Sequence, residues 1–242
     1  MNLYQLAESG DLPLHQYMDE GTLNWIKVNN PFPKKEVTYS NVPISRVLDT
    51  LSNFTPKHDW FTLQEEADGL HGLKHIMRVV TYASILSNDK YSKIILSASA
   101  LHDICRLDDK GDHGHAKRAA DWFKDNLSLV SESFQVKLSE DEIESVYYSI
   151  LFHEIPYETI TNDVNYIKYK NYIDIVKTAD ALDRYRLPKL KWWINDSLIN
   201  VIPSDELKHF AFKFVVDSET EFLKSKNSIE SILDTLKSYG SK

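Results

Sequence analysis

The sequence predicts an all-α protein, and three observations carry that reading. Glycine and proline are scarce, seven and eight in 242 residues, which favours long helices over a turn-rich β fold. Apolar residues recur every three or four positions in the segments 73–83, 94–101, 143–153 and 166–183, the period of a buried helix face. Ser139-Glu140-Asp141-Glu142 spells a capping box, a serine N-cap with glutamate at N3, at the head of one of these segments. With 42% hydrophobic and 12% aromatic residues, the chain has the material for one full core with appendages. We expect an N-terminal helical and loop extension over 1–64, a core over 65–190, and C-terminal helices packed on it over 191–242.

Composition narrows the partners. A net charge of −8 argues against an extended nucleic-acid surface but leaves room for a local cationic pocket. No apolar stretch approaches a membrane span. The lone cysteine, Cys105, excludes an internal disulfide and suggests a reducing compartment. The first residues lack the basic and apolar regions of a signal peptide, so a cytoplasmic location is expected.

In chain order, Leu14 to Ile26 reads as short helical pieces, and Pro31-Phe32-Pro33 with Lys34-Lys35 as a turn or loop. Pro43 to Leu51 reads as an amphipathic helix with Pro43 in its first turn. His58-Asp59 follows Pro56-Lys57 with no apolar helix before it, which suits a loop histidine beside the anchor Trp60-Phe61. Leu73, Ile76, Val80 and Ala83 form a helical stripe, with His71 one turn before His75 on a shared face. In the helix after Ser139, Ile143, Val146, Ile150 and His153 continue one inner face. Tyr166, Tyr169, Ile173, Val176, Asp180 and Asp183 do the same in the next, so an apolar stripe ends in two carboxylates. Asp183 with Arg186 suits a helix-end salt bridge equally well. The final helix, Ile229 to Tyr239, shows only packing residues and stops at Gly240.

The stretch Ala100-Leu101-His102-Asp103-Ile104-Cys105-Arg106 organises the chain. The His-Asp pair closes a buried hydrophobic helix, where an ionised carboxylate is costly unless a positive partner meets it. A divalent cation accepts neutral imidazole and carboxylate together. His75, His153 and Asp180 lie on inner faces and can join. His113 and His115 follow an acidic loop and cannot face the same way in a helix. The small pair Ala119-Ala120, one turn after His115, favours His115.

The order His, His-Asp, His, His, Asp along an all-helical chain resembles the HD-domain superfamily of metal-dependent phosphohydrolases, over roughly residues 65–190. His71-x-x-x-His75-x-x-Arg78-Val79 resembles the helix that opens many HD domains. By comparison with the related cyclic-nucleotide phosphodiesterases, His75 binds metal and His71 protonates the leaving group. His102-Asp103 matches the defining motif, with Asp103 able to bridge two ions. His115-Ala116-Lys117-Arg118-Ala119-Ala120 resembles a family helix start of the form His-Gly-x-x-Ser-Ala, here with alanine for glycine and serine. His153 matches a further metal-site histidine, and Ala179-Asp180-Ala181-Leu182-Asp183-Arg184 the closing motif. The resemblance implies an HD-type helical bundle with metal ligands His75, His102, Asp103, His115, His153 and Asp180, and catalytic roles for His71 and Asp103.

Such a ligand set favours Mn²⁺, Fe²⁺, Co²⁺ or Zn²⁺, with two ions expected, over Mg²⁺ alone. Two ions about 3.5–4 Å apart can activate a water and hold a phosphoryl oxygen. Arg106, one turn past His102, and Arg184, one turn past Asp180, are candidates for phosphate binding, since guanidinium pairs with phosphate through parallel hydrogen bonds. Lys110, Lys117 and Arg118 have weaker claims, the last two reading as solvated charges. The leading expectation is hydrolysis of a phosphate ester in a nucleotide or other small phosphorylated metabolite. The alternatives are a di-iron oxygenase of the kind the HD fold also hosts, and a non-catalytic nucleotide sensor. The residues that choose the substrate are expected in 1–65 and 187–215.

Overall fold

A computed structural model of the chain describes residues 1–32, 42–87 and 92–241. Among the described residues the structure is all-α, with no strand. The helices are α1 (Leu3–Ser9), α2 (Glu20–Val28), α3 (Ile44–Phe54), α4 (Leu73–Leu86), α5 (Ser92–Leu101) and α6 (His115–Asp125). They continue with α7 (Leu127–Ser133), α8 (Glu140–Phe152), α9 (Tyr157–Ile160), α10 (Val164–Leu182), α11 (Asp205–Ser225) and α12 (Ser228–Gly240). No described helix is long and apolar enough to cross a membrane.

Helix α4 is the hub. It packs against α3, α5, α10, α11 and α12, and all its residues from Leu73 to Ser84 are buried, Lys74, His75 and Arg78 included. On one side α5, α8 and α10 pack on one another, with α6 against α8. On the other, α3 and α12 cover α4 and pack together. One hydrophobic cluster draws Leu3, Val47 and Phe54 from the N-terminal extension, Ile76, Ile95 and Val146 from the middle, and Phe214, Ile232 and Tyr239 from the C-terminal helices. The two ends of the chain therefore share the central core.

Local signals explain most helix ends. The Ser139 capping box forms as its sequence requires. The segment read as short helical pieces from Leu14 behaves differently: residues 11–19 carry no helix, and α2 starts after Asp19, whose Oδ1 accepts the Thr22 N–H at 2.8 Å. An aspartate N-cap sets the helix start, and the residues before it run irregularly. Pro43 is the N-cap of α3, one position ahead of the first turn. The helix read through Asp183 ends at Leu182, followed by a 3₁₀ turn over Asp183–Arg186. Gly240 is the last residue of α12 instead of its stop. Pro33, Lys34 and Lys35, part of the expected turn, lie outside the described residues.

Phe123 is fully buried where α6 meets the core, while its neighbour Trp122 is only half-buried. Truncating such a ring leaves a cavity that a packed interior refills poorly, so Phe123→Ala should cost about 3–5 kcal/mol. Urea unfolding of the two proteins, followed by far-UV circular dichroism, checks it.

Candidate metal centre

Five helices deliver the inward residues. His75 lies in the first turn of α4, whose start is fixed by Gly72. A Cβ at Gly72 would lie 2.2 Å from the Ala67 carbonyl oxygen, so only glycine lets the chain turn into the helix there. His102 and Asp103 occupy the turn that closes α5. Ile104 O accepts the Thr62 N–H at 3.0 Å, and Arg118 donates to Cys105 O at 3.1 and 3.0 Å, which pins that turn. Arg118 is thus an anchor, not the solvated charge its sequence position suggests; Lys117 is exposed and pairs with Asp121. His115 is the first residue of α6 and His153 the C-cap of α8. The buried Lys177 ammonium gathers the carbonyls of Phe152, His153 and Ile155 at 3.0, 2.9 and 2.6 Å, fixing the end of α8. Asp180 arrives from the last turns of α10.

These side chains meet around Asp103. Its Oδ2 lies 3.4 Å from His75 Nε2 and 3.7 Å from His102 Nε2. Its Oδ1 lies 3.1 Å from His115 Nε2 and 3.5 Å from His153 Nε2. Asp180 Oδ1 completes the first group, 3.4 Å from His75 Nε2 and 4.0 Å from His102 Nε2. The Nε2 atoms of His75 and His102 are 3.0 Å apart, and those of His115 and His153 3.1 Å. One carboxylate thus faces two imidazole pairs with separate oxygens.

The other ring nitrogens explain this crowding. Each Nδ1 sits against an acceptor: Asp183 Oδ2 at 2.8 Å for His75, Ser99 O at 2.8 Å for His102, Asp112 O at 2.5 Å for His115, and Ile150 O at 2.7 Å for His153. A carbonyl acceptor places the proton on Nδ1, so Nε2 is left as a lone pair. Four such lone pairs and two carboxylates face one another. Asp103 Oδ1 is buried without a hydrogen-bond partner, and the half-buried Asp180 has its ion pairs within 4.0 Å with the imidazoles of His75 and His102. An arrangement so rich in acceptors, into which Arg106 brings one guanidinium at Asp103 Oδ2 and His115 Nε2, is unfavourable in a protein interior unless a further cation enters it. These buried His/Asp groups fit a metal ion: His75, His102 and Asp180 offer ligand atoms within 4.8 Å of one another, as do His102, Asp103 and His153.

Charge states follow the same logic. Burial pushes the His102 imidazole down to about 3, only partly opposed by Asp103, and burial holds His71 well below its usual value. For Asp103, burial favours the neutral acid, but Arg106 and the imidazoles outweigh it and hold the carboxyl well below the usual range. Burial likewise opposes ionisation of Asp180, and His75 and His102 overcome it, leaving its carboxyl low. His115 moves the other way: Asp103 outweighs the burial penalty and raises it.

Behind His75 lies a buried ionic chain. Asp183 accepts from Arg78 at 2.6 and 3.1 Å as well as from His75. Arg78 reaches across to Glu219 at 2.9 Å and Ser218 at 3.2 Å on α11, and Glu219 lies 3.4 Å from Lys74. Arg186 contacts Asp183 at 3.4 Å, so the expected salt bridge exists, as one arm of a larger set. Its main consequence, the orientation of His75, is the part the sequence did not display. The C-terminal helices, read as packing only, contribute Glu219 to it.

A cavity of about 520 Å³ opens beside the cluster. Asp103, His153 and Asp180 line its floor, with His71, Arg106, Arg184 and Lys177 around it and Tyr157, Leu187, Asn195 and Leu198 further out. The segment 187–199 contributes as expected. Among the described residues nothing from 1–65 lines the cavity, because that extension packs behind α4 and on the loops. His71 precedes α4 instead of sharing its face. Its ring stands 5.7 Å from that of His75, and its Nδ1 lies 2.5 Å from Asp109 Oδ1. Arg106 turns inward, its Nε 3.0 Å from Asp103 Oδ2 and its Nη2 3.3 Å from His115 Nε2. Arg184 is half-buried at the cavity wall. His113 is exposed at the rim and His115 is inside. His58 and Asp59 are exposed and Trp60 is buried, as the loop reading requires.

No family model, curated protein or solved structure matches this chain.

Asp109, Glu219 and Lys177 are the participants that sequence reading missed. Lys177 carried a usable signal, since it lies three residues before Asp180 on the inward side of α10. Asp109 sits in a run of loop carboxylates, and Glu219 on a mostly polar helix far along the chain, so neither stood out.

Two predictions follow from the electrostatics. At pH 5 the unfolded chain protonates His71, His102 and His115, whereas the folded metal-free protein holds His71 and His102 neutral. Stability is therefore fully present above about 6.5 and falls as pH drops toward 3, at up to about 1.4 kcal/mol per pH unit for each such imidazole. His115, raised in the fold by Asp103, contributes stability that is fully present below about 6.5 and lost as pH rises through its folded value, so it leaves the acid-side slope unchanged. Urea titrations of chelator-treated protein from pH 7 to pH 4 should show this slope, and a flat profile would contradict it. Separately, Asp183→Asn should keep the helical content yet weaken Mn²⁺ binding about 10–100-fold, since a ligand's outer hydrogen bond sets its basicity and aim. Isothermal titration calorimetry of the two proteins measures that loss.

Proposed function

We propose that this chain is a metal-dependent phosphohydrolase acting on a small phosphorylated metabolite. The observation that carries the reading is Asp103, whose two oxygens face separate imidazole pairs 3.1–3.7 Å away. That is the arrangement expected of a carboxylate bridging two ions, and the HD-domain resemblance asks for it at this residue. His75, His102, Asp103 and Asp180 would hold one ion, and His115, His153 and Asp103 the other. Divalent ions at such a centre supply Lewis acidity toward a water and a phosphoryl oxygen.

The chain's own residues do the rest. Arg184 binds phosphoryl oxygens from the cavity wall, where a guanidinium offers paired donors. Arg106 is engaged with Asp103 and His115, so its charge balances the acidic floor and supports the phosphate from behind. His71 faces the same cavity, where its Nε2 would take a proton from the attacking water and pass it to the leaving oxygen. The Leu187 to Ile199 wall, together with Ile155 and Tyr157, excludes water from the body of the ester. The same two imidazole pairs also suit a di-iron oxygenase. Oxygen consumption by ferrous-loaded protein with no phosphate release from any ester would favour that reading.

A screen of phosphorylated metabolites with Mn²⁺-loaded protein tests the proposal, and phosphate release should depend on added metal. Asp103→Ala should abolish turnover and strip metal with little loss of helix, whereas His58→Ala should leave both near wild type. His153→Ala should reduce the metal content from about two ions to about one, as loss of a ligand weakens its own site most. Elemental analysis after dialysis decides the count. Equal content near one ion in both proteins would make the centre mononuclear.

A further inference from the structure

The N-terminal segment 11–19 crosses the surface without helix, and Leu14 and Tyr17 on it stay exposed. Met18 buries in the central core, and hydrogen bonds tie the rest of the segment to the loops around His71. The Gln16 N–H donates to Asp109 Oδ2 at 2.6 Å. The Asp109 N–H donates to Leu14 O at 2.7 Å, and the Leu70 N–H to Gln16 O at 2.8 Å. The strap thus grips the backbone of the residue before His71 and both ends of Asp109. Side chains tie it down further: His15 pairs with Glu66, and Tyr17 Oη donates to Glu65 O at 3.3 Å.

Asp109 has one carboxylate oxygen on Gln16 N–H and the other 2.5 Å from His71 Nδ1. Its side chain is fully buried, so neither contact is diluted by water. From the opposite side, Arg186 Nε donates to Leu70 O at 2.9 Å. The peptide leading into His71 is held between the strap and Arg186, and the imidazole between Asp109 and the cavity. With Nδ1 committed to Asp109, the nitrogen left to face the cavity is Nε2.

We propose that Leu14–Gln16 is a strap that positions Asp109, and through it the His71 imidazole: with Nδ1–H held by Asp109, the Nε2 lone pair takes a proton from the attacking water and hands it to the leaving oxygen, which returns the ring to its neutral form. This rests on the phosphohydrolase reading for the chemistry of His71, though the positioning itself does not. Asp109 and Gln16 are positioning residues: neither touches the cavity floor, and both act through the His71 ring. The extension then has a role that its absence from the cavity wall conceals. It sets the orientation of one wall residue from behind.

Leaving-group dependence separates this from general loosening of the fold. p-Nitrophenolate departs without a proton, whereas an alkoxide needs one, so an acid matters for the second and little for the first. The Mn²⁺-loaded full chain is assayed on p-nitrophenyl phosphate and on ethyl phosphate. Gln16→Pro deletes the backbone donor, with Gln16→Ala as the comparator that keeps it, and Asp109→Asn weakens the carboxylate. Both Gln16→Pro and Asp109→Asn should lose at least about tenfold more kcat/KM on ethyl phosphate than on p-nitrophenyl phosphate, within the usual span of general-acid effects. Equal losses on the two esters would overturn the proposal. If Gln16→Pro does not fold, the double variant His15→Ala/Tyr17→Ala unties the strap and leaves its backbone donors in place.

A second readout needs no turnover. The ¹⁵N spectrum of the His71 ring should show one tautomer, protonated on Nδ1, in wild type and a mixture in the variants. An unchanged ring spectrum in Gln16→Pro, or in the double variant, and in Asp109→Asn overturns the strap whatever the activity. A wild type inert toward both esters and toward the metabolite screen overturns the phosphohydrolase reading, and wherever the two esters are not turned over the ring spectrum decides the strap alone.

Discussion

The carboxylate of Asp183, buried between His75 and Arg78, is the interaction on which the candidate metal centre depends. A bare carboxylate in a helical core is strongly unfavourable, and removing one partner of a buried pair typically costs about 3–5 kcal/mol. Here the charge is met by Arg78 at 2.6 and 3.1 Å and by the His75 Nδ1 at 2.8 Å. Arg78 in turn needs its own counter-charge, which Glu219 supplies from α11. The chain of pairs therefore fixes three things together: the start of α4, the turn after α10, and the seating of α11. It also decides which nitrogen of His75 looks inward. The acceptor-rich cluster around Asp103 follows from that choice and from the three carbonyls that make the same choice for His102, His115 and His153.

Much of this was legible because buried helices write their inner face into the sequence. Asp180 and His153 continue apolar stripes, so burial could be inferred and with it a reason for polarity. His102-Asp103 closes the most hydrophobic helix, and its cost pointed to a cation. The choice of His115 over His113 rested on small residues one turn later, and α6 does pack its alanines, Ala116, Ala119 and Ala120, into the interior. What stayed hidden shares a different property. Asp109, Gly72, Glu219 and the Gln16 backbone act through contacts between segments far apart in sequence, where periodicity carries no information. Gly72 is needed because the Ala67 carbonyl comes close, and nothing local announces that. A carboxylate in an acidic loop looks solvated until the strap that covers it is known.

Lys177 shows how a cation can belong to such a site without serving as a ligand-binding charge. Its pKa is pushed down to about 8 by burial, which Asp180 and Asp174 only partly oppose. All three of its ammonium donors have backbone acceptors at the end of α8. Helix C-termini leave carbonyls without partners, and a cation there offsets both the open hydrogen bonds and the helix dipole. His153 is the C-cap of that helix, so the lysine sets the position of an imidazole whose own sequence neighbourhood ends at Pro156.

The division of labour along the chain bears on how the proposed enzyme distinguishes substrates. The cluster that fits a metal is drawn from residues 75–180, all of them on or at the ends of well-packed helices. The outer wall of the cavity comes from Leu187, Asn195, Ser197, Leu198 and Ile199, in a segment of short 3₁₀ turns. A scaffold of this kind separates what must be rigid from what can vary: ligand atoms need placement to a few tenths of an ångström, whereas a wall needs only shape and a few polar groups. Trp193 and Tyr185 anchor that segment on Phe212 of α11, the helix that also carries Glu219. One helix therefore supports the substrate wall through its aromatic face and His75 through its buried carboxylate. Both halves of the site thus rest on α11.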